Sequence, residues 1–435
     1  MTLSSSLNAG VAGLNVNSSK LGTIADNIAN SQTNGYKRVD AEFSNLVLSE
    51  AAGTYAAGGV RVTSFRQVDA RGSLESTSNA TDIAIGGSGF LPVTPLASTD
   101  NADEDFPLQL ITTGSFRPDE DGFLRTPNGL TLMGWPAEVD GTISEFPRDS
   151  ASGLEPVRIL SNQLAGSPTT EIELNVNLPA ENTQAGQSGN TLPFSIEYFD
   201  NVGASQTLTM EFSPTIPATA SSNEWTVQIT DSLSTVNPVA AFVVQFDDSR
   251  ASGGKILDVP AAGQTGGTYD PATGEFTFNV AGGPMSLQIG TINDPAGGMT
   301  QLSAEFQPAV SKNGAPVASL NNVAVDENGL LTATFEGGFV RTLFQIPLAD
   351  FPNVNGLRAL DNQAFEPSAD SGALFLYDAG DGPTGPVIGF ALEQSSAEIA
   401  AELTALIETQ RAYSSNATVI QTVDEMLQET TNIKR

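Results

Sequence analysis

The sequence contains neither cysteine nor histidine among its 435 residues. Without cysteine the chain can form no disulfide bond and offers no thiolate to a metal ion. Without histidine it lacks the side chain that most often serves as a general base or as a metal ligand. The two absences remove the usual nucleophile and base pairs of covalent catalysis. We therefore predict that the chain is not an enzyme, with no catalytic residue, no cofactor and no metal site.

Positive charge is also scarce, since 18 lysine and arginine residues face 50 aspartate and glutamate residues and give a net charge of −32. Binding to nucleic acid requires clustered basic side chains, and binding to an anionic membrane surface requires the same. No apolar run approaches the roughly 18–20 residues that span a bilayer. The first basic residue, Lys20, comes too late for the basic region of a secretory signal. We predict no nucleic acid partner, no membrane insertion and, if the chain is exported, a route without a cleavable signal peptide.

The negative charge is concentrated away from the chain ends. Residues 1–70 hold five basic and five acidic residues, and residues 392–435 hold three basic and seven acidic residues. Near-neutral ends can pack together while an acidic middle stays solvated and resists unspecific association. The plainer alternative is an acidic surface that serves solubility alone.

Apolar residues recur at both ends in alternating steps of three and four. This spacing is typical of a narrow apolar stripe on a long helix. We predict a helix at each end, and a stripe that packs against the other end or against other copies of the chain. An ordinary helix docked on its own domain is the alternative. The stripe residues assigned to self-assembly are Leu3, Leu7, Leu14, Leu21, Ile24, Ile28, Ile399, Leu403, Leu406, Gln410, Tyr413, Ala417, Ile420 and Leu427.

The region between the ends has the composition of β-structure. Two matching segments, 116–126 and 323–332, each read as a pair of strands joined by a turn that ends in glycine, at Gly122 and Gly329. Glycine at these positions permits the positive φ that closes a hairpin. Between the two segments lie runs in which apolar and polar residues alternate, as in the strands of a sandwich or barrel.

This order predicts a mainly β fold with terminal α-helices and nested, discontinuous β domains. The two hairpin segments flank the alternating runs, so one β domain is built from two stretches of chain with another inserted into it. The predicted parts are a terminal helical coiled-coil domain (1–30 plus 392–435), a connecting segment with a short hairpin (31–70), a discontinuous β domain (71–165 plus 301–391) and an inserted outer β domain (166–300).

Each end of the chain also contains a compact signature. The residues of the two signatures are Asn27, Ile28, Ala29, Asn30, Thr33, Gly35, Tyr36 and Lys37 at the first end, and Gln410, Arg411, Ala412 and Tyr413 at the second. These signatures resemble those of the bacterial flagellar rod and hook proteins, the axial proteins of the flagellum. The resemblance covers about residues 1–165 and 301–435. The long inserted block favours the hook branch of this family over the shorter distal rod branch.

The resemblance implies a structural subunit of the hook of the flagellar basal body, outside the cell. Its terminal helices would form the inner coiled-coil core of a curved tubular polymer that acts as a universal joint and transmits motor torque to the filament. The implied partners are other copies of the chain, the distal rod protein, the hook cap protein, the hook–filament junction protein and the flagellar type III export apparatus.

Three other functions stay open at the level of sequence. A distal rod protein of the basal body shares the terminal signatures, and a surface β-rich adhesin shares the β composition. A hydrolase with paired carboxylates would need an acidic pair in a cleft, which no motif in the sequence supports.

Overall fold

The computed structural model describes residues 3–46, 58–95, 106–138, 141–160, 164–294 and 298–433. One helix stands at each end, α1 (Leu3–Ala29) and α2 (Ile399–Ile433), and the region between them is built from strands. The prediction of a mainly β chain with terminal helices is confirmed. Neither helix in this described part combines the length and the apolarity that a membrane span requires.

Thirty-two strands lie in the described residues. Along the first stretch of chain they are β1 (Val39–Asn45), β2 (Val60–Arg66), β3 (Leu74–Ser76), β4 (Asp82–Ile85), β5 (Leu91–Thr94), β6 (Gln109–Ile111), β7 (Thr113–Ser115), β8 (Arg117–Pro118), β9 (Leu124–Arg125), β10 (Thr131–Pro136) and β11 (Glu155–Pro156). The middle stretch contains β12 (Leu164–Ser167), β13 (Glu171–Pro179), β14 (Leu192–Phe199), β15 (Ser205–Pro214), β16 (Glu224–Asp231), β17 (Ala240–Phe246), β18 (Ile256–Asp258), β19 (Gly267–Asp270), β20 (Glu275–Val280), β21 (Gly283–Gln288), β22 (Met299–Leu302) and β23 (Gln307–Lys312). The last stretch contains β24 (Ala315–Val325), β25 (Leu330–Phe335), β26 (Val340–Gln345), β27 (Leu348–Asp350), β28 (Arg358–Ala359), β29 (Phe365–Glu366), β30 (Phe375–Tyr377), β31 (Val387–Gly389) and β32 (Ala391–Glu393).

The chain divides into two compact units. The first comprises residues 1–161, 322–334 and 340–435, and the second comprises residues 162–321 and 335–339. The block predicted as an insertion, 166–300, lies within the second unit. That unit continues beyond residue 300 because β22 and β23 both pair with β13.

The second helix begins at Ile399, later than the predicted start of the terminal domain near residue 392. Residues 391–393 instead form β32, which pairs antiparallel with β3. The segment that was predicted to open the helix therefore joins the first unit as a strand. Between residues 39 and 66, β1 and β2 pair antiparallel over seven residue pairs.

The two hairpin turns predicted from glycine are confirmed. Gly122 has a φ of 89° and Gly329 a φ of 77°. In each turn the opening aspartate caps the backbone: Asp119 accepts the N–H of Phe123 at 2.8 Å, and Asp326 accepts that of Leu330 at 2.7 Å. The same Asp-x-x-Gly pattern therefore gives the same turn at two distant places in the sequence.

The core of the first unit is organised around buried aromatic rings. The ring of Phe90 meets Phe351 and Phe365 edge to face, at centroid distances of 6.4 and 6.1 Å. Trp135 stacks on Phe146 at 5.7 Å. The rings lie beside the neighbouring strands β10, β5, β6 and β29 of one sheet. The core therefore joins strands that come before the inserted block to strands that follow it.

The second unit has two sheets that share one apolar core. One sheet has the order β14-β15-β16-β17-β18, and the other has the order β19-β20-β21-β13-β22 with β23 beside β13. Burial alternates along the strands, as it does when one face packs inward and the other meets solvent. Phe242 and Phe276, one from each sheet, approach within 4.6 Å between ring centroids.

Replacement of Phe276 by alanine should destabilise the second unit by about 3–5 kcal/mol, because a fully buried ring is lost from the shared core. Urea unfolding followed through the fluorescence of Trp225 measures this effect, in a Trp135→Phe background that leaves only the indole of the second unit. Val202→Ala is the matched control, since Val202 is 77% exposed and its loss should cost less than about 0.5 kcal/mol. Equal effects of the two substitutions would contradict the shared core.

Candidate functional site at the meeting of the chain ends

The two terminal helices lie side by side and antiparallel within the first unit. Gly10 of α1 faces Ile420 of α2, and Gly13 faces Asn416, so residue numbers fall along one helix as they rise along the other. A Cβ atom on Gly10 would lie 3.0 Å from Cγ1 of Ile420, and one on Gly13 would lie 2.8 Å from Oδ1 of Asn416. The two glycines therefore allow the helices to approach more closely than larger residues would.

The predicted stripe of α1 lies on the covered side of this helix. Ile24 is buried, and Leu7, Leu14, Leu21 and Ile28 are half-buried. The side chain of Leu3 lies outside the described residues. Val16, which was not assigned to the stripe, is also buried.

The face that α2 turns towards α1 is one position away from the predicted stripe. Its buried residues are Glu402, Thr409 and Val423, with the half-buried Asn416 between them, so that they follow one another in steps of seven. The sequence analysis missed this face because three of its four residues are polar.

The predicted stripe of α2 is largely open to solvent in this subunit. Its half-buried members are Leu406, Ala417 and Ile420. Its exposed members are Ile399, Leu403, Gln410, Tyr413 and Leu427. The helix thus presents a mainly polar heptad to its own chain, with Ile420 of the stripe opposite Gly10, and leaves most of the apolar stripe exposed.

A buried ion pair joins the loop after α1 to β32. The ammonium of Lys37 donates to Oε1 of Glu393 at 2.8 Å and to the carbonyl of Ala70 at 2.8 Å. The side chains of Lys37 and Glu393 are 1% and 2% exposed. Burial lowers the pKa of Lys37, and the attraction of Glu393 opposes that shift. Gly72 donates its N–H to the same carboxylate oxygen at 2.8 Å, which completes the tie between three segments of chain.

A second buried carboxylate, that of Glu402, joins both helices to β1. Its Oε1 accepts from Nε of Arg38 at 2.5 Å and from the amide of Asn27 at 3.2 Å. Asn27 also bonds the backbone of Val39 twice, through its amide at 2.8 Å and its carbonyl at 2.9 Å. Arg38 reaches Asp40 at 2.9 Å and thereby balances two carboxylates. Burial lowers the pKa of Arg38, but the bonds to Glu402 and Asp40 outweigh it and leave this pKa raised.

The phenol of Tyr36 is hydrogen-bonded to two side chains at the end of α1. Its hydroxyl lies 3.0 Å from Oδ2 of Asp26 and 3.1 Å from Oδ1 of Asn27. The guanidinium of Arg66 lies 5.1 Å from the centre of the ring. Burial, together with the hydrogen bond to Asp26, raises the pKa of Tyr36 to about 12.

Backbone hydrogen bonds connect the same loop to the segment that leads into α2. Gly35, with a φ of 72°, donates its N–H to the carbonyl of Glu393 at 2.8 Å. Ser396 donates its N–H to Tyr36 and accepts from the N–H of Arg38 through its hydroxyl at 2.9 Å. We name the set of Asn27, Tyr36, Lys37, Arg38, Glu393, Ser396 and Glu402 the terminal junction.

The two signatures thus have different positions in the subunit. In the first, Asn27, Gly35, Tyr36 and Lys37 are buried, Ile28, Asn30 and Thr33 are half-buried, and Ala29 is exposed. In the second, Ala412 is half-buried, and Gln410, Arg411 and Tyr413 are exposed. Sequence reasoning missed Arg38, Glu393, Ser396 and Glu402, although the adjacent basic pair 37–38 in a near-neutral end was a signal that carboxylates had to lie nearby.

Comparison with known proteins gives matches at the same two places. The family described as "Flagella basal body rod protein" matches residues 7–37, which contain most of α1 and the loop after it. The family described as "Flagellar basal body rod FlgEFG protein C-terminal" matches residues 390–433, which contain β32 and α2.

Relatives extend over the whole length. The chain is 32% identical over 444 residues to the flagellar hook protein FlgE of Brucella suis biovar 1 (strain 1330), and the match covers 100% of both chains. The chain belongs to the flagellar hook protein family. The hook proteins of Rhizobium meliloti (strain 1021) and Escherichia coli (strain K12) are 31% and 28% identical, over 100% and 98% of both chains. The family predicted from the terminal signatures is thereby confirmed.

Solved structures of hook proteins are also similar to this chain. The crystal structure of the Helicobacter pylori flagellar hook protein FlgE2 is 14% identical in sequence, with a TM-score of 0.46, and the match covers 72% of this chain and 98% of that one. In the part of the chain that the structure describes, no group of three or more acidic side chains is placed to hold a metal ion.

Replacement of Lys37 by methionine should destabilise the first unit by about 3–5 kcal/mol, because the buried carboxylate of Glu393 would lose its ion-pair partner. The double substitution Lys37→Met with Glu393→Gln should recover more than half of that loss, since it removes the charge and keeps an acceptor for Gly72. Urea denaturation measures both. Arg358→Met is the control, because the Arg358–Glu366 pair is exposed at the surface and should be worth less than about 1 kcal/mol. A double variant no more stable than Lys37→Met would contradict this account.

Replacement of Tyr36 by phenylalanine should change the response of stability to alkaline pH. The pKa of Tyr36 is about 12 in the folded chain, against about 10 for an unfolded tyrosine. Between these values the unfolded chain has released the phenolic proton and the folded chain has not. The contribution of Tyr36 is therefore fully present below about pH 10 and is lost as pH rises towards 12. Urea midpoints should fall more steeply over this window for the natural chain than for the variant, and parallel curves would refute the assignment.

Proposed function

We propose that the chain is a structural subunit of the bacterial flagellar hook that self-assembles into a curved tubular polymer. The polymer would act as a universal joint that transmits motor torque to the filament. Membership of the flagellar hook protein family supports this role. The structural observation that supports it most directly is that most of the apolar stripe of α2 is exposed to solvent.

The stripe is unusual for the surface of a single chain. Its exposed apolar side chains, together with the neighbouring Ile407, are between 37% and 52% exposed, although they share one helix of 35 residues. Exposed apolar side chains grouped on one side of a helix normally mark a site of association. The residues are Ile399, Leu403, Ile407, Tyr413 and Leu427.

A second copy of the same chain is the partner that this stripe fits. Full burial of an exposed apolar side chain contributes about 1.5–3 kcal/mol, so completing the burial of these half-covered residues would supply about 1 kcal/mol each. Several such contacts in every copy offset part of the entropy lost on association. Repetition along a tube would give every helix the same new neighbours.

The remaining parts of the proposal follow from the family. The subunit would lie in the hook of the flagellar basal body, outside the cell, after export through the flagellar type III apparatus. Its other partners would be the distal rod protein, the hook cap protein and the hook–filament junction protein. The relatives are structural hook proteins, and we propose no catalytic activity for the chain.

Deletion of residues 1–30 and 395–435 should abolish tube formation while the β-structure stays folded. The physical reason is that the deleted parts contain both helices and the apolar stripe. Electron microscopy and sedimentation report on assembly, and circular dichroism reports on the fold. Tubes formed by the truncated chain would refute the proposal.

A single substitution gives a sharper test of the stripe. Leu403→Asp places a charge on a residue that is 46% exposed, so the subunit should fold normally but should assemble about tenfold less well in sedimentation assays. Leu403→Met is the matched control, because it keeps an apolar side chain of similar volume and should assemble normally. Normal assembly of Leu403→Asp would show that this part of α2 is not at an interface.

A further inference from the structure

The charges of α2 are arranged unevenly along the helix. Arg411 is its one basic residue between Ile399 and Ile433. The side chain is exposed and forms no ion pair with any residue in the part of the chain that the structure describes. The chain has a net charge of −32, so an exposed cation on a helix that is otherwise acidic is open to a carboxylate of another copy.

Two carboxylates further along α2 lie on the same face of the helix as Arg411. Glu429 follows Arg411 by 18 residues, which is five turns, and Glu425 follows it by 14, which is close to four turns. Both are exposed and form no ion pair with described residues. They stand four residues apart, a spacing at which like charges on a helix repel.

We infer that Arg411 pairs with Glu425 and Glu429 of a second copy of this chain, with the two α2 helices parallel and displaced along the axis by about 21–27 Å. The displacement is 14 to 18 residues at about 1.5 Å each. The inference rests on the proposed function, because only a polymer gives every copy such a neighbour. It adds the register in which neighbouring helices meet.

Charge repulsion is unfavourable for the simplest alternative, in which two parallel α2 helices are not displaced along the axis. Copies related by a screw operation along a tube have their helices pointing the same way. Without displacement, Glu425 and Glu429 of one copy would face the same two residues of the next, and like charges at close range are unfavourable. A displacement of 14 to 18 residues replaces that repulsion with attraction.

The apolar stripe makes the location of Arg411 suitable for an interface. Ile407, one turn before Arg411, is 52% exposed, and Leu403, two turns before, is 46% exposed. A cation beside residues that become buried on assembly loses water, and it then requires a carboxylate partner. The apolar side chains would supply affinity, and the ion pair would set the register.

Charge reversal in the full-length chain tests the inference. Arg411→Glu should reduce the sedimented polymer about tenfold at low ionic strength, with unchanged circular dichroism of the subunit. The triple variant Arg411→Glu with Glu425→Arg and Glu429→Arg exchanges the charges in every copy and should assemble to within about threefold of the natural chain. Arg411→Lys keeps the charge and is the control that should assemble normally.

Three outcomes would overturn the inference. Normal assembly of Arg411→Glu would show that the cation has no role. A triple variant no better than Arg411→Glu would show that Glu425 and Glu429 are not its partners. The third outcome is that Glu408→Arg, and not Glu425→Arg with Glu429→Arg, restores assembly of the Arg411→Glu variant. It would show that Arg411 pairs with Glu408, three residues before it on the same helix. In each of these cases the natural chain still forms tubes and the proposed function stands, whereas failure of the natural chain to assemble would remove the proposed function and this inference with it.

Discussion

The buried carboxylate of Glu402 is the constraint on which the arrangement of the chain ends depends. It is 1% exposed, and it is held by Arg38, which lies 364 residues earlier in the sequence. A carboxylate removed from water is stable only where donors meet it, so the bonds of Glu402 to Arg38 and Asn27 favour this register of α2 over shifted ones. The glycine contacts at Gly10 and Gly13 set how closely the helices approach, but small residues alone would also tolerate a shifted pairing. Closeness and register are therefore determined by different residues.

One face of α2 packs within the subunit, and a different face is available for association with other copies. In most amphipathic helices the apolar stripe packs against the chain's own core. Here the inward face consists mainly of Glu402, Thr409 and Asn416, while Leu403 and Ile407 point outward. These polar contacts give the pair its specificity. The apolar surface remains available to other copies, so the same helix can be ordered within one subunit and still contribute to a polymer.

Local patterns in the sequence predicted the elements that depend on local chemistry. Steps of three and four predicted both helices, and the Asp-x-x-Gly segments predicted the turns at Gly122 and Gly329 because a positive φ there depends on one residue type. The terminal junction could not be predicted in this way. Lys37 and Glu393 are 356 residues apart, and a single charge in a sequence is by default a solvated one. The inward face of α2 was missed because helical periodicity is sought among apolar residues and Glu402 is not apolar.

Three cations near the first end of the chain make contacts inside the subunit. Lys37 and Arg38 neutralise carboxylates inside the subunit, and Arg66 covers the ring of Tyr36 and donates to the carbonyl of Lys37. These cations are used within the subunit and are not available to attract a neighbour. Copies that each carry a charge of −32 repel one another at long range, and salt at about 0.15 M screens that repulsion beyond about 8 Å. Association then depends on short-range contacts between apolar residues and between the charges exposed among them. The outward face of α2 contains residues of both kinds.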